Sequence, residues 1–274
     1  EIAKLSHKIN NLEQTKLFLE KSKTAAKSKD QVFWIVRELI NIAEFENSIQ
    51  ENNASNKTLM DAKEYVLKNL DDRIFIEIIS SFAKINNLEQ AKELLNLMKP
   101  GYEKAMAMSL VGNTFANKKD YSVMESFLNE ALNTVPDLIG GKYALGLPGF
   151  STKGKIFLYC AKSYALAGNF DKAHKILSQI ESDRFYKEGI IDILHLQAKS
   201  NMSKSTELSI NILNLGGKIV DNKFIGNIAT ILSVSGDIDN SLKTVKRMKF
   251  SVALSQTLIN IAQEINLQQE DPLI

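Results

Sequence analysis

One nine-residue string occurs almost unchanged twice. Lys8–Lys16 reads KINNLEQTK and Lys84–Lys92 reads KINNLEQAK, with eight of nine residues matching. Looser copies stand at Ala167–Lys175 (AGNFDKAHK) and Ser235–Lys243 (SGDIDNSLK), and weaker ones at Asn117–Glu125 and Asn201–Ser209. A chain that repeats a short signature along its length folds as a row of similar units.

The residue types in the copies say what the unit is. Gly168 and Gly236, or Asn10 and Asn86, sit where a helix would stop in a left-handed residue, a conformation Gly and Asn tolerate best. Asn11, Asn87, Asn169 and Asp237 follow as helix N-caps. Glu13, Glu89, Asp171 and Asp239 then fall in the first helical turn, where negative charge is favoured. The next helix has the same apolar spacing each time: Leu88, Ala91, Leu94/Leu95, Met98; Phe170, Ala173, Ile176/Leu177, Ile180; Ile238, Ser241, Val245, Met248; more faintly Leu12, Thr15, Leu19. That is helical period. The helix before each turn is equally regular, as in Phe75, Ile78, Ile79 and Phe82. The unit is therefore helix, tight turn, helix, and such a pair buries its apolar faces only by stacking on neighbours.

Composition agrees. Thirteen Gly and four Pro in 274 residues are too few for an all-β chain with regular turns. Small-residue markers near Thr15, Ala62, Ala91, Ser122, Ala173, Thr206 and Ser241 count about seven pairs in one domain, residues 1–274. Two long steps are assigned to a polar loop at 46–57 and an irregular Gly- and Pro-containing insertion at 134–154. The chain begins at Glu1 rather than Met, as a processed chain or a fragment would. The fold expected is all-α, an antiparallel helix-pair solenoid.

Residues 157–180 resemble the tetratricopeptide repeat (TPR). Ala161 and Tyr164 match its small and aromatic positions, Gly168-Asn169-Phe170 its turn, and Ala173, Leu177 and Ile180 its second helix. The copies around Ala91 and Ser241 match more loosely. The family's Trp is absent, and Pro100 alone stands where its terminal Pro would be. The resemblance implies a right-handed superhelix whose concave groove binds peptides or helices of partner proteins.

Catalytic chemistry is hard to find. Gly149–Lys155 satisfies G-x-x-x-x-G-K, but Ile156 replaces the Ser or Thr that holds magnesium. His7, His174 and His195 lack metal-ligand spacing, so neither a metal site nor a cofactor is expected. Cys160 lies in an apolar helix and reads as a buried thiol; a single cysteine fits a reducing compartment such as the cytoplasm. Trp34 reads as a core or terminal-stack residue, with an exposed anchor as the alternative. No apolar run approaches the ~20 residues of a membrane span.

The expected role is that of a non-catalytic scaffold or adaptor. A peptide-sensing regulator and an atypical enzyme or secreted effector are the alternatives. Registered on the turns, Arg73, Lys104, Lys155 and Lys223 fall near the starts of inner helices, where a cation is disfavoured by ~0.3–1 kcal/mol. Tyr159 and Lys162 extend the stripe from Lys155. These six form the candidate site, suited to an acidic protein segment. The TPR basic-plus-Asn clamp is not reproduced. A net charge of +2 argues against a nucleic-acid partner, and the apolar stretch 250–265 suggests self-association through a terminal repeat.

Overall fold

A computed structural model describes residues 3, 7, 11–69, 72–135, 152–200, 202–214, 221–248 and 252–270. Among the described residues there are fourteen helices and no strand. The contacts divide the chain into two units, Glu1–Leu138 and Ile139–Ile274. The first contains α1 (Leu12–Lys27), α2 (Val32–Ser48), α3 (Asn52–Asn69), α4 (Asp72–Lys84), α5 (Leu88–Leu97), α6 (Tyr102–Asn117) and α7 (Tyr121–Thr134). The second contains α8 (Thr152–Leu166), α9 (Phe170–Leu177), α10 (Asp183–Ser200), α11 (Met202–Asn214), α12 (Asn222–Val234), α13 (Ile238–Val245) and α14 (Val252–Glu270).

The turns explain the pairing. Asn86, Gly168 and Gly236 have φ of 65°, 78° and 78°, as their residue types anticipate. Each donates its N–H three residues back, and the following N–H donates five residues back: Asn86 to Ala83 and Asn87 to Phe82, Gly168 to Ala165 and Asn169 to Tyr164, Gly236 to Ser233 and Asp237 to Leu232. This double bond pattern satisfies the last carbonyls of the helix. Asn11, Asn87, Asn169 and Asp237 then accept from the N–H three residues on and open the next helix. Asn10 lies outside the described residues. Gln50 (φ 65°) and Lys119 (φ 62°) make the same turn without a permissive side chain, which is why two turns are faint in the sequence.

The 46–57 loop is corrected by that turn. Residues 46–48 end α2, 49–51 form the turn, and α3 starts at Asn52. Polar composition there reflects an exposed helix start. Residues 136–151, most of the expected insertion, lie outside the described residues.

Packing follows the stripes. Ala91, Leu94, Leu95 and Met98 are buried, as are Ala173, Ile176 and Leu177 on α9 with Ile180 just beyond it, and Phe75, Ile78, Ile79 and Phe82 on α4. Leu12 departs from its stripe and is exposed. Each second helix packs on its own first helix: α3 on α2, α5 on α4, α7 on α6, α9 on α8, α11 on α10, α13 on α12. The first helices also stack on one another, α2–α4–α6 in one unit and α8–α10–α12–α14 in the other, while the second helices, among the described residues, meet through long side chains such as Lys63 with Glu93 and Lys204 with Asp171. Each unit is thus an α-solenoid in which the first helices are the closely stacked layer.

A buried hydroxyl marks the register. Ser55, Ser205 and Ser241 donate to the carbonyls of Ala43, Leu194 and Ala229 on the helix before, at 2.8, 3.1 and 2.7 Å. Ala91 and Ala173 occupy the corresponding sites, and so does Met124. The small-residue markers at Ala62, Ser122 and Thr206 were therefore out of step: the matching residues are Ser55, Met124 and Ser205. A further tie is ionic. Glu46 is 2% exposed and accepts from Thr58 Oγ1 at 2.7 Å and from Lys23 Nζ at 2.7 Å. Burial works against the Lys23 charge, but its bonds to Glu20 and Glu46 outweigh burial and raise its pKa.

Two outcomes follow. Lys119→Gly should raise the stability of the chain by about 0.5–1 kcal/mol, and Gly168→Ala should lower it by about 1 kcal/mol, because only backbone conformation changes at these sites. Glu46→Ala should cost about 3 kcal/mol, since it leaves Lys23 without its buried partner. Urea unfolding of each variant measures both.

Candidate functional site

The serine register aligns the first helices residue by residue. Six positions before the shared carbonyl stand Arg37, Arg73, Met106, Lys155, Glu188 and Lys223. Two positions before it stand Asn41, Glu77, Leu110, Tyr159, Asp192 and Asn227. One position after it stand Glu44, Ser80, Asn113, Lys162, His195 and Thr230. Apart from Met106 and Leu110 on α6, these rows carry exposed or half-buried polar side chains of the first helices; their other faces hold the core.

The alignment keeps Arg73, Lys155 and Lys223 in one row, with Tyr159 and Lys162 one and two turns beyond Lys155. It removes Lys104, which is two positions out of step on α6, where the buried Met106 fills the row. It adds Arg37, which the faint turn at Gln50 concealed. It also adds Glu188, which α10 hides because α11 begins only two positions after α10 ends.

Electrostatics separates these cations. Lys162 pairs with Asp192 at 2.5 Å and lies 3.7 Å from Glu188 on the adjacent α10. Burial opposes its charge, yet the bond to Asp192 and the two carboxylate charges raise its pKa. Lys162 is thus a tie between α8 and α10. Lys187 on α10 pairs likewise with Asp221 at 2.9 Å, and Asp221 also caps α12 by accepting from Phe224 N at 2.8 Å. Burial alone would raise Asp221, but these bonds hold it below the usual carboxylate value. Lys84 on α4 meets Glu44 on α2 at 2.6 Å. By contrast, Lys155 and Lys223 are exposed and form no ion pair among the described residues.

Two clefts open along these rows. One of about 350 Å³ lies between α10 and α12, with Ile191 and Phe224 beside Glu188, Asp192, Lys223 and Asn227. Another of about 260 Å³ lies between α2 and α4, lined by Arg37, Asn41, Glu44, Glu77 and Lys84 among others. A larger cavity of about 750 Å³ opens beside α1 and α2, with Leu19, Ala26, Ile42 and Phe45 on its walls.

The remaining singled-out residues resolve individually. Trp34 is 45% exposed, edge-on to Phe33 with ring centroids 5.2 Å apart, so its core assignment is corrected. The exposure arises because Trp34 points off the buried Ile35–Val36–Leu39 stripe of α2. Cys160 is fully buried, and burial pushes its thiol up to about 12. His174 Nε2 lies 3.1 Å from Gln197 Oε1, and burial, then Lys199, lowers the pKa of His195. Thr152–Lys155 form the first turn of α8, while Gly149–Ser151 lie outside the described residues. Among the described residues no group of three or more His, Cys, Asp or Glu is placed to hold a metal ion, and no helix is long and apolar enough to cross a membrane.

Residues 78–99, which run from α4 through the turn and α5, match the PPR repeat family. No curated protein shows a significant match to the chain. The match overturns the exclusion of nucleic acid as a partner, because PPR repeats typically bind RNA. Net charge was the wrong measure: such repeats read one base per helical repeat with two or three side chains, which needs no strong overall positive field. Matched segment and stacked helix pairs together support a degenerate helical-repeat chain; the PPR repeat is related to the TPR without being identical to it.

Proposed function

We propose that the chain is a non-catalytic binding scaffold that holds an extended segment of a partner protein along its first helices. The observation that carries this reading is the pattern of charge on the aligned rows. Lysines that bridge adjacent helices are neutralised within the chain, as Lys162 is by Asp192 and Lys187 by Asp221. Carboxylates at Glu44, Glu77, Glu188 and Asp192 share the same rows. Such a mixed surface complements a polypeptide carrying both signs. Stacked helices present these groups already in place, so little ordering cost falls on the scaffold. Within residues 139–274, Lys155, Tyr159 and Lys223 are the proposed contacts, and within residues 1–138 Arg73 is proposed separately; Lys104 is set aside, and Lys162 acts through the helix tie.

RNA is the second reading, and the PPR match at residues 78–99 favours it. Salt separates the two. Phosphate contacts release counterions, so RNA affinity falls steeply with salt.

A displayed peptide library and a labelled single-stranded RNA pool should be selected against the full chain. Peptides should be enriched, and Lys155→Glu with Lys223→Glu should weaken their binding at least tenfold while leaving the unfolding midpoint unchanged. Enriched RNA with a steep salt dependence would favour the second reading. No enriched ligand of either kind would contradict the scaffold. Lys162→Glu is unsuitable for this test, because it would face Asp192 and Glu188 and unfold the α8–α10 contact.

A further inference from the structure

Within residues 139–274, one row carries charge that the fold leaves largely unused. Lys155 on α8, Glu188 on α10 and Lys223 on α12 stand at the same register position, so the signs run plus, minus, plus. Lys155 and Lys223 make no ion pair among the described residues. Among the described residues Glu188 has only the 3.7 Å approach of Lys162, whose ammonium is held closer by Asp192, and its side chain is 48% exposed. Neighbouring charges are already spent: Lys187 holds Asp221, and Asp221 holds the start of α12.

The spacing of the row selects a backbone. Packed helices lie 8–10 Å apart. A polyproline II segment repeats every three residues and rises about 3.1 Å per residue, or about 9 Å per turn. Its every third side chain therefore points the same way, one per helix. A β-strand alternates faces every residue, so residues three apart point to opposite sides. We infer that Lys155, Glu188 and Lys223 read a polyproline II segment of a partner protein bearing an acidic, a basic and an acidic residue at every third position. Between Glu188 and Lys223, the half-buried Ile191 in the α10–α12 cleft gives the intervening prolines an apolar contact, and the half-buried Asn227 offers an amide to their carbonyls. This inference rests on the protein-scaffold reading above and specifies its ligand.

The test uses the full chain and synthetic 13-residue peptides with neutral ends. Their centres read Glu-Pro-Pro-Lys-Pro-Pro-Glu, the rearranged Glu-Lys-Pro-Pro-Pro-Pro-Glu, Glu-Pro-Pro-Glu-Pro-Pro-Glu, or Glu-Pro-Pro-Gln-Pro-Pro-Glu. Affinities come from NMR titration. The first peptide should bind at least fivefold tighter than the second. Glu188→Lys should reverse the preference so that the third binds at least fivefold tighter than the first. Because a lysine there also approaches Lys162, Glu188→Gln serves as the second variant and should abolish the preference for the first peptide over the fourth. Equal binding of the first and second peptides, a preference untouched by both variants, or no binding of any of the four overturns the inference. If these peptides fail while library-selected peptides still bind through Lys155 and Lys223, the scaffold stands and only the proposed register falls.

Discussion

A pair of helices joined by a tight turn exposes more apolar surface than the two can cover between themselves. Everything else in this chain follows from how that surplus is buried. Burial of a valine, leucine, isoleucine, phenylalanine or methionine side chain is worth about 1.5–3 kcal/mol, and each first helix from α2 to α12 buries two or more of them. Stacking α2 on α4 and α6, and α8 on α10, α12 and α14, covers them. The recurrent turn makes that stacking regular, since five left-handed residues close it with the same two backbone bonds.

Regular stacking is also what makes a surface out of single side chains. Positions one repeat apart on the first helices become neighbours, so residues distant in sequence line up as rows. The fold spends some of these residues on its own integrity. Lys162, Lys187 and Lys84 each bridge adjacent first helices, and Lys63 ties two second helices by reaching from α3 to Gln90 and Glu93 on α5. Lys155 and Lys223 form no such bridge among the described residues.

Much of the fold was legible because Gly and Asn advertise left-handed turns and because 3.6-residue periodicity survives in nearly every helix. Legibility failed where chemistry gave no signal. Gln50 and Lys119 adopt the same turn as Gly168, but nothing in a glutamine or lysine says so. Ser205 follows its acceptor Leu194 by eleven residues where Ser55 and Ser241 follow theirs by twelve, which shifted Thr206 into the place of Ser205 and hid Glu188 from the row. Ser55 was lost for a different reason: its polar surroundings, ENSIQENNASNK, describe the exposed side of a helix end as readily as a loop. The candidate site suffered most, since it depends on register. One misplaced turn moved Lys104 into a row that Met106 occupies, and pairing in space, such as Lys162 with Asp192, leaves no mark in a single sequence.

The central claim is that partners meet the stacked first helices and not the second ones. Site-specific photocrosslinking tests it most directly, with a benzophenone side chain placed at Asn227 on α12 or at Lys243 on the exposed side of α13, and any selected ligand bound to the full chain. Crosslinks from position 227 and none from 243 are the predicted result. Crosslinks from 243 alone, or equally from both, would contradict the account.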